Sequence, residues 1–501
     1  MSLLGIDIGS SSCKGVIFSI SGIELASESQ SYSTVNIGPS MVEIDAMVFR
    51  DAAFKVIRLL SERVKNDPVE ALAISSHGET TIPVDKNGNT TGPAIMNSDN
   101  RAAGEAEWWD KTFGKKRIYK ITGVPLHAMF SLNKIMWIRK NKPEIYAKTD
   151  KFLSVGDYIL TQLDLLPYTD YSLASRTMAF DIHNHCWSEK ILTHCDIPKE
   201  KFGILAASGT LVGRLSKEIA SQLGLMEGTV VALGGHDQPC GALGAGVIAS
   251  GDTSDSAGTY ECLVAVSDKP YNTDQAYKYN LNSYCHVVPN KYVTLAFFPA
   301  GFIINWFINQ FCENDKMNAE KENNNVFDLL NKTIESITEP TGILVTPHLV
   351  GSCNPHWDAN ATGSIIGLTS SSDKYHLYKA IFEGLACELA ENISALEEIT
   401  GKIKNVRIFG GNTRSEFTLK LRADIANKSF QLLSHPEAVC QGAAMLAGIA
   451  AGIYKNAEDA VKQTLQLKST ISPDKEMHLK YKKQLDKYKL IYSLLAKIRK
   501  I

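Results

Sequence analysis

Long uncharged stretches, closely paired cysteines and a strong net charge of either sign are all missing from this 501-residue sequence. The most apolar internal run, 229–249, contains His236 and Asp237, whereas a membrane-spanning helix needs about 20 nearly uncharged residues. The ten cysteines include no C-x-x-C pair, which argues against a zinc site and against a disulfide framework. These absences are typical of a globular protein in a reducing compartment, so we expect it in the cytoplasm and not in a membrane.

Targeting features and nucleic-acid-binding features are also missing. The N-terminal apolar run has no basic start and is interrupted by Asp7, so we expect no signal peptide. The formal net charge is −2, and a chain this close to neutral gives no sign of the basic face that nucleic-acid-binding proteins use. The one dense basic stretch, 480–500, has Tyr481, Tyr488 and Tyr492 at helical spacing, which predicts an amphipathic helix with its lysines in solvent.

Strands alternate with helices along both halves of the chain. The predicted strands include 3–8, 71–75, 229–233, 253–257, 261–266 and 406–409, and the predicted helices include 48–64, 375–396 and 415–426. A chain of this length exceeds one ordinary hydrophobic core. We therefore predict an α/β protein of two domains, 1–248 and 249–501, divided at the glycine-containing segment 248–251.

The first predicted strand ends in a turn whose residues suit a nucleoside triphosphate. Asp7 stands at the strand end, and Gly9, Ser10, Ser11 and Lys14 follow it. Glycine lets backbone N–H groups approach phosphate oxygens, hydroxyls and lysine donate hydrogen bonds to them, and a carboxylate holds Mg²⁺ directly or through water. Neither a Walker loop nor a G-x-G-x-x-G fingerprint occurs here, so an ordinary hairpin turn is the alternative.

A second turn with the same chemistry opens the second half. Gly258 and Thr259 follow the predicted strand 253–257. Two such turns from two domains can hold one polyphosphate between them, and closure of the cleft would exclude water from the transferred phosphoryl group. Together the two turns favour binding of ATP and Mg²⁺ over a pair of unrelated hairpins.

Asp237 is the candidate catalytic base. It follows the strand 229–233 and two glycines, and it precedes a helix of small residues, which is where α/β proteins place ligands. A small-molecule kinase needs one carboxylate that orients the attacking hydroxyl and accepts its proton. The alternative is that Asp237 only caps the following helix. We interpret the neighbouring His236 as structural.

Two polar clusters are candidates for binding a polyhydroxylated substrate. One contains His77 and Glu79, and the other contains Asp99 and Arg101. Carboxylates and arginine bind neighbouring hydroxyls through paired hydrogen bonds, so these residues suit such a pocket, and Asp237 would contact the hydroxyl that reacts. A polar turn with a surface ion pair is the alternative for each cluster.

The motifs described above, in the order in which they occur, resemble those of the FGGY carbohydrate kinases, and the resemblance extends over essentially the whole chain. The resemblance is carried by G-I-D-I-G-S-S-S-x-K at 5–14, G-G-H-D-Q at 234–238, Gly258-Thr259, the block 347–367 and G-G-N-T-R-S at 410–415. It implies two actin-like (ribonuclease H-like) domains with a catalytic cleft between them. The first would hold the sugar site, the first phosphate turn and the catalytic Asp237, and the second would hold the other phosphate turn and the adenosine site. It also implies that Asp7 and Asp237 organise Mg²⁺ and that Gly410, Gly411 and Asn412 lie beside the nucleoside.

The substrate loop departs from the pattern of the glycerol kinases. Gly78 stands where those enzymes typically have an arginine, and Asn97 stands where a tryptophan is common. Loss of a donor and of an apolar wall predicts a roomier pocket. This favours a ketose, such as xylulose or a related pentulose or deoxy-hexulose, while a glycerol or other alditol kinase is the alternative within the family.

Two alternatives come from other functional classes. One is a non-enzymatic actin-like ATPase, and the other is a sugar-responsive regulator that has lost catalysis. The G-G-H-D-Q motif at 234–238 and the sugar-type pocket loops argue against the first, and the presence of both Asp7 and Asp237 argues against the second. The expected partner is a small-molecule sugar or polyol, and a homodimer is also compatible with the sequence.

Overall fold

The computed structural model describes residues 1–499, so residues 500 and 501, at the end of the predicted C-terminal helix, lie outside the described part. The chain forms a mixed α/β fold with one large sheet in each half. Within residues 1–499, no helix is long and apolar enough to cross a membrane. The alternation of strands and helices predicted from the sequence is confirmed.

The strands fall into a group before residue 248 and a group after it. The first group is β1 (Ser2–Ile8), β2 (Ser12–Ser19), β3 (Glu24–Ser31), β4 (Val35–Gly38), β5 (Met41–Ile44), β6 (Val69–Ser76), β7 (Ile82–Val84), β8 (Ala94–Ile95), β9 (Lys151–Leu153), β10 (Tyr168–Asp170), β11 (Phe180–Asp181), β12 (Cys186–Trp187), β13 (Ile204–Ala206), β14 (Leu211–Arg214) and β15 (Val230–His236). The second group is β16 (Thr253–Ala257), β17 (Tyr260–Ser267), β18 (Asn282–Cys285), β19 (Tyr292–Pro299), β20 (Leu344–Thr346), β21 (Ser364–Ile366), β22 (Asn405–Phe409), β23 (Ser429–Leu433) and β24 (Leu467–Ile471).

The helices connect these strands in both halves. In chain order they are α1 (Met47–Arg63), α2 (Ala103–Thr112), α3 (Lys115–Thr122), α4 (Ser131–Asn141), α5 (Pro143–Lys148), α6 (Val155–Gln162), α7 (Tyr171–Ser175), α8 (Glu189–Cys195), α9 (Lys217–Leu223), α10 (Asp237–Gly244), α11 (Asp274–Lys278), α12 (Gly301–Phe311), α13 (Glu313–Lys321), α14 (Val326–Ile334), α15 (Lys374–Thr400), α16 (Glu416–Ala426), α17 (Ala438–Ala450), α18 (Ala457–Thr464) and α19 (Lys475–Ile498).

The two large sheets follow the same plan. The first has the strand order β14-β15-β6-β1-β2-β3, and the second has the order β18-β19-β17-β16-β22-β23-β24. In the first sheet β1 pairs antiparallel with β2 and parallel with β6, and in the second β16 pairs antiparallel with β17 and parallel with β22. Each half therefore opens with a hairpin whose first strand also has a parallel neighbour.

Helix α1 covers the first sheet because its apolar residues recur on one side. Phe49, Ala52, Val56 and Leu60 are buried, and they belong to the same apolar cluster as Ile6 of β1. Spacings of three and four residues place all four on one face of a helix. The predicted helix 48–64 is therefore confirmed, and it packs on the first sheet through this face.

The predicted C-terminal helix is present as α19. Tyr481 and Tyr488 are buried, and their hydroxyls donate to the carboxylates of Glu383 and Glu388 on α15. Lysines such as Lys482 are exposed. The helix therefore packs through tyrosines and leaves its basic side in solvent, as its spacing predicts.

Helices α10 and α17 cross where the two halves meet. Helix α10 follows β15 of the first sheet, whereas α17 follows β23 of the second. A Cβ on Gly442 would lie 1.9 Å from the carbonyl oxygen of Cys240, and a Cβ on Gly244 would lie 1.9 Å from the carbonyl oxygen of Ala438. Neither position has room for a side chain, so the two backbones touch directly at the crossing.

Helix α17 also packs against the first sheet, although it follows a strand of the second. Cys440 and Ala443 share an apolar cluster with Leu3 of β1 and Ala71 of β6. A Cβ on Gly5 of β1 would lie 1.8 Å from the carbonyl oxygen of Cys440. A helix from one half is thus built into the other, which fixes the separation of the two sheets.

A methyl group at the crossing should destabilise the protein. Gly442→Ala forces a Cβ into the Cys240 carbonyl, and overpacking of this kind costs about 1–3 kcal/mol of unfolding free energy. The control is Gly104→Ala on the exposed side of α2, where a Cβ would have no heavy atom within 4 Å; there, replacing helical glycine gains about 0.5–1 kcal/mol. Thermal unfolding should therefore show a lower midpoint for the first variant only, and equal midpoints would contradict the crossing.

Candidate active site

Asp237 is the first residue of α10, directly after β15. The strand end is held by a chain of hydrogen bonds: the His236 N–H donates to Ser172 Oγ at 2.8 Å, and Ser172 Oγ donates to Asp170 at 2.6 Å. Asp237 Oδ1 accepts from the Gln238 N–H at 2.6 Å, and 25% of the Asp237 side chain stays exposed. The carboxylate is therefore fixed at a strand end and open to a ligand. The N-cap position of α10 is His236, which makes no side-chain cap.

Asp7 on β1 is electrostatically coupled to Asp237. Burial raises the pKa of Asp7 to about 8, with further contributions from the negative charges of Asp237 and Glu437, while Lys14 acts in the opposite direction. Asp7 Oδ1 is buried and has no hydrogen-bond partner within residues 1–499. Two acids that repel each other around an unpartnered oxygen fit a divalent cation.

Protein groups alone do not complete a metal site. Over residues 1–499, no group of three or more His, Cys, Asp or Glu side chains is arranged to hold a metal ion. Mg²⁺ often keeps several waters and takes only one or two carboxylates plus substrate phosphates. The pair Asp7 and Asp237 therefore fits a cation that arrives with a nucleotide.

The predicted first phosphate turn is the tip of the β1–β2 hairpin. The Gly9 N–H donates to the Ser12 carbonyl at 2.9 Å, and Ser10 and Ser11 are exposed at the tip. The Lys14 amine lies on β2 and donates to Glu437 Oε1 at 2.8 Å. Glu437 directly precedes α17, so the first turn is tied to the helix that crosses from the other half.

The predicted second phosphate turn joins β16 to β17. The N–H groups of Ala300 and Gly301 donate to the Thr259 carbonyl at 3.0 and 2.9 Å, and the Asn412 amide donates to the Gly258 carbonyl at 2.9 Å. Gly410 has a φ of +102°, and a Cβ there would lie 2.7 Å from the Ala257 carbonyl oxygen. The structure therefore brings the predicted second turn and the predicted 410–412 segment together.

Two cavities meet beside this segment. One, of about 190 Å³, is lined by residues that include Ile304, Phe327 and Phe382, and the other, of about 400 Å³, is lined by residues that include Lys14 and Glu437. Gly411 and Arg414 line both cavities. One cavity has aromatic walls that suit a purine, and the other carries the basic groups that suit phosphates.

Glu79 places a second negative charge near Asp237. Its backbone is left-handed, with a φ of +63°, and its carbonyl accepts from the Lys134 amine at 3.0 Å and from Ser131 Oγ at 3.2 Å. Burial and then the negative charge of Glu79 raise the pKa of Asp237 to about 7, while Arg176 lowers it. Glu79, Arg176 and Asp237 therefore form one electrostatic unit.

Sequence reasoning missed Arg176, Asn282 and Tyr284. Arg176 contacts Glu79 through Nε at 2.5 Å, and Tyr284 OH lies 3.3 Å from His236 Nδ1. The one available signal was a lone charged residue, Arg176, in the small and apolar stretch 171–180. Nothing in the sequence indicated that β18 of the second half reaches this site.

The other predicted substrate residues are engaged by the protein itself. His77 Nδ1 lies 2.9 Å from the Ile8 carbonyl, and Nε2 lies 2.7 Å from Thr80 Oγ1. Arg101 binds both oxygens of Asp99, and their side chains are 2% and 0% exposed. These three side chains brace the loops around Glu79, and direct contact with a substrate stays a prediction for them.

The space beside Gly78 is filled, contrary to the roomier pocket expected from the sequence. A Cβ on Gly78 would lie 3.0 Å from Cβ and Cγ of Arg176 and 3.0 Å from Cδ2 of His236. The space that a side chain at position 78 would need is therefore occupied by a side chain from another segment, Arg176. The sequence did not show this because residues 78 and 176 are far apart along the chain.

Known proteins resemble this chain over most of its length. The family model described as the N-terminal domain of the FGGY family of carbohydrate kinases matches residues 2–244, and the C-terminal domain model matches residues 254–451. A xylulose kinase of Staphylococcus epidermidis is 29% identical, with 98% of this chain and 96% of that protein covered. A gluconokinase of Bacillus subtilis is 28% identical, with 90% and 88% covered.

Solved structures share the fold. A ligand-bound xylulose kinase from Lactobacillus acidophilus superposes with a TM-score of 0.88 at 24% identity, covering 99% of this chain and 98% of that one. A glycerol kinase from Plasmodium falciparum with ADP gives a TM-score of 0.86 at 21% identity, covering 97% of each chain. These similarities show that the predicted two-domain, actin-like fold is confirmed.

Replacement of Asp7 by its amide should stabilise the protein without ligands. The pKa of Asp7 is raised to about 8, above the unfolded value of about 3.9, so ionisation of Asp7 destabilises the fold increasingly from about pH 4 to about pH 8. Asp7→Asn removes that charge and should raise the unfolding midpoint by several degrees at pH 9, and by about a quarter as much at pH 5.

The matched control is Asp51→Asn, since the Asp51 side chain is 65% exposed on α1. That variant should keep the wild-type midpoint at both pH values. A lower midpoint for Asp7→Asn at pH 9 would contradict the electrostatic account of the carboxylate pair.

Proposed function

This chain belongs to the FGGY family of carbohydrate kinases, and we propose that it transfers the γ-phosphoryl group of ATP to a hydroxyl of a ketose, xylulose or a related pentulose. The observation that carries the proposal is the position of Asp237, open at a strand end and coupled to Asp7 of the first phosphate turn. Several relatives that cover nearly the whole chain are xylulose kinases. Membership of a kinase family leaves no support for the non-enzymatic alternatives.

Asp237 acts as the base in this proposal. It orients the attacking sugar hydroxyl and accepts its proton as the phosphoryl group is transferred. A carboxylate with a pKa near 7 is a better proton acceptor than an ordinary aspartate, and the value of about 7 for Asp237 suits that role. His236 stays neutral because burial and the charge of Arg176 hold its pKa well below the usual range.

The nucleotide spans the two turns. Gly9, Ser10, Ser11 and Lys14 bind the phosphates from one side, and Gly258 and Thr259 bind them from the other; Gly410, Gly411 and Asn412 lie beside the nucleoside. Asp7 and Asp237 hold Mg²⁺. The metal, when bound, neutralises charge on the phosphates.

On the sugar side, Glu79 binds hydroxyls, and His77, Asp99 and Arg101 complete the pocket.

The proposed domains, 1–248 and 249–501, are supported by family matches that end at residue 244 and resume at residue 254. Free cysteines scattered through the chain support a cytoplasmic enzyme.

Removal of the base should abolish sugar phosphorylation and spare nucleotide binding. Asp237→Asn should lower kcat by about 10²–10⁴-fold, the usual contribution of a general base, with ATP affinity within about threefold of wild type by calorimetry. Coupled ADP release with xylulose, ribulose, xylitol, glycerol and gluconate measures the activity. Faster turnover of glycerol than of every ketose would overturn the proposed substrate class, and unchanged sugar-dependent turnover by Asp237→Asn would overturn the proposed base.

The pH profile offers an independent check. Since Asp237 must be ionised and its pKa is about 7, kcat/KM for the sugar should fall as the pH drops below about 7. Glu79→Gln removes the negative charge that raises this pKa, so its acid limb should move to lower pH.

The control for the pH experiment is Glu62→Gln on the exposed side of α1, which should keep the wild-type profile. The quantity compared between variants is the pH of the acid limb and not the height of the profile, because Glu79→Gln also changes the rate itself. A limb that moves to higher pH would exclude the assignment of Asp237 as the titrating base.

A further inference from the structure

The guanidinium of Arg176 is held by two polar side chains and two aromatic rings, next to the predicted sugar-binding residue Glu79. Nε and Nη2 both lie 2.5 Å from Glu79 Oε1, and Nη1 donates to Asn282 Oδ1 at 3.1 Å. The rings of Phe130 and Tyr284 lie 5.3 and 5.0 Å from the guanidinium carbon. Contacts of this kind fix both the plane and the direction of the donors.

This arrangement leaves donors and an acceptor unused. A guanidinium carries five N–H groups, and the contacts with Glu79 and Asn282 leave at least one N–H on each terminal nitrogen without a partner in residues 1–499. Glu79 Oε2 accepts no hydrogen bond from the same residues, and 5% of the Glu79 side chain is exposed. The pair therefore offers two fixed donors, the free N–H groups on Nη1 and Nη2 of Arg176, and one free acceptor, Glu79 Oε2.

The pair also lies next to the reacting group. Arg176 lowers the pKa of Asp237 and Glu79 raises it, and His236, which precedes Asp237, contacts Tyr284. Gly78 has no side chain in the space that Arg176 occupies. The aliphatic part of Arg176 thus fills the pocket wall, and its charged end faces the same region as Asp237.

We propose that Arg176 is a substrate-binding residue that determines sugar specificity together with Glu79. Its free N–H groups donate to one sugar oxygen, and Glu79 Oε2 accepts from the neighbouring hydroxyl. A carbonyl beside a hydroxyl, as in a ketose, satisfies both partners, and so does a pair of adjacent hydroxyls held in the right orientation. This inference rests on the proposed function, because it assigns the sugar side of that same site.

The second half of the chain contributes to this pocket. Asn282 and Tyr284 belong to β18 of the second sheet, whereas Glu79 and Arg176 belong to the first half. The guanidinium is therefore fixed by both halves at once.

Arg176→Lys keeps the positive charge but loses the planar fork, so it separates the effect of charge from the effect of donor geometry.

The test is steady-state kinetics of Arg176→Lys and Arg176→Met with pentuloses and the alditols of the same carbon skeletons. Loss of a hydrogen bond to a charged group costs about 1.5–3 kcal/mol, so the KM for the best sugar should rise about 10–100-fold while the KM for ATP changes less than about twofold. The order of preference among the sugars should also change. The control is Arg422→Lys, which alters another buried Arg–Glu pair and should leave the sugar order intact.

The outcomes separate this inference from the proposed function. Wild-type protein that phosphorylates a ketose, with both Arg176 variants keeping its sugar KM and sugar order, would overturn the role of Arg176 alone. Wild-type protein that releases no ADP with any sugar would overturn the proposed function and this inference with it. A lower unfolding midpoint in both Arg176→Lys and Arg422→Lys, without a change in sugar order for either, would assign Arg176 a purely structural role.

Discussion

The contact between the backbones of α10 and α17 is the constraint on which the rest of the molecule depends. Glycines at 244 and 442 allow the two helices to cross without side chains between them. Helix α10 begins with Asp237, and α17 directly follows Glu437, the partner of Lys14. One crossing therefore sets the position of the candidate base and of the first phosphate turn relative to each other. Larger residues at the crossing would move these two groups apart.

The acidic side chains around the cleft suit a ligand that brings a cation. Burial and neighbouring negative charges raise the pKa values of Asp7 and Asp237, and Glu79 adds a negative charge beside Asp237. Lys14 and Arg176 supply the opposing charge through their ion pairs with Glu437 and Glu79. Excess negative charge with low solvent access is costly in the protein alone and favourable when a cation binds. We infer that the arrangement is completed by Mg²⁺ and ATP on one side of Asp237 and by a sugar on the other.

Local patterns predicted much of this structure. The hairpin openings, α1, α15 and the strand before Asp237 all follow from the spacing of apolar residues and from glycine turns, because these features depend on neighbours in the chain. The position of Arg176 against Gly78, and the reach of β18 into the sugar side, depend on contacts between distant segments. A single sequence carries no signal for such contacts. For that reason the pocket beside Gly78 was predicted to be open and is filled.

The most direct test of the central claim follows the phosphorus itself. Phosphorus-31 NMR of the protein with ATP, Mg²⁺ and xylulose or another pentulose should show a phosphomonoester signal that grows as the γ-phosphate signal of ATP declines, with inorganic phosphate at background. That result would demonstrate transfer to a sugar hydroxyl in a cleft that excludes water. Growth of inorganic phosphate without an ester, at the same rate with and without sugar, would contradict the account.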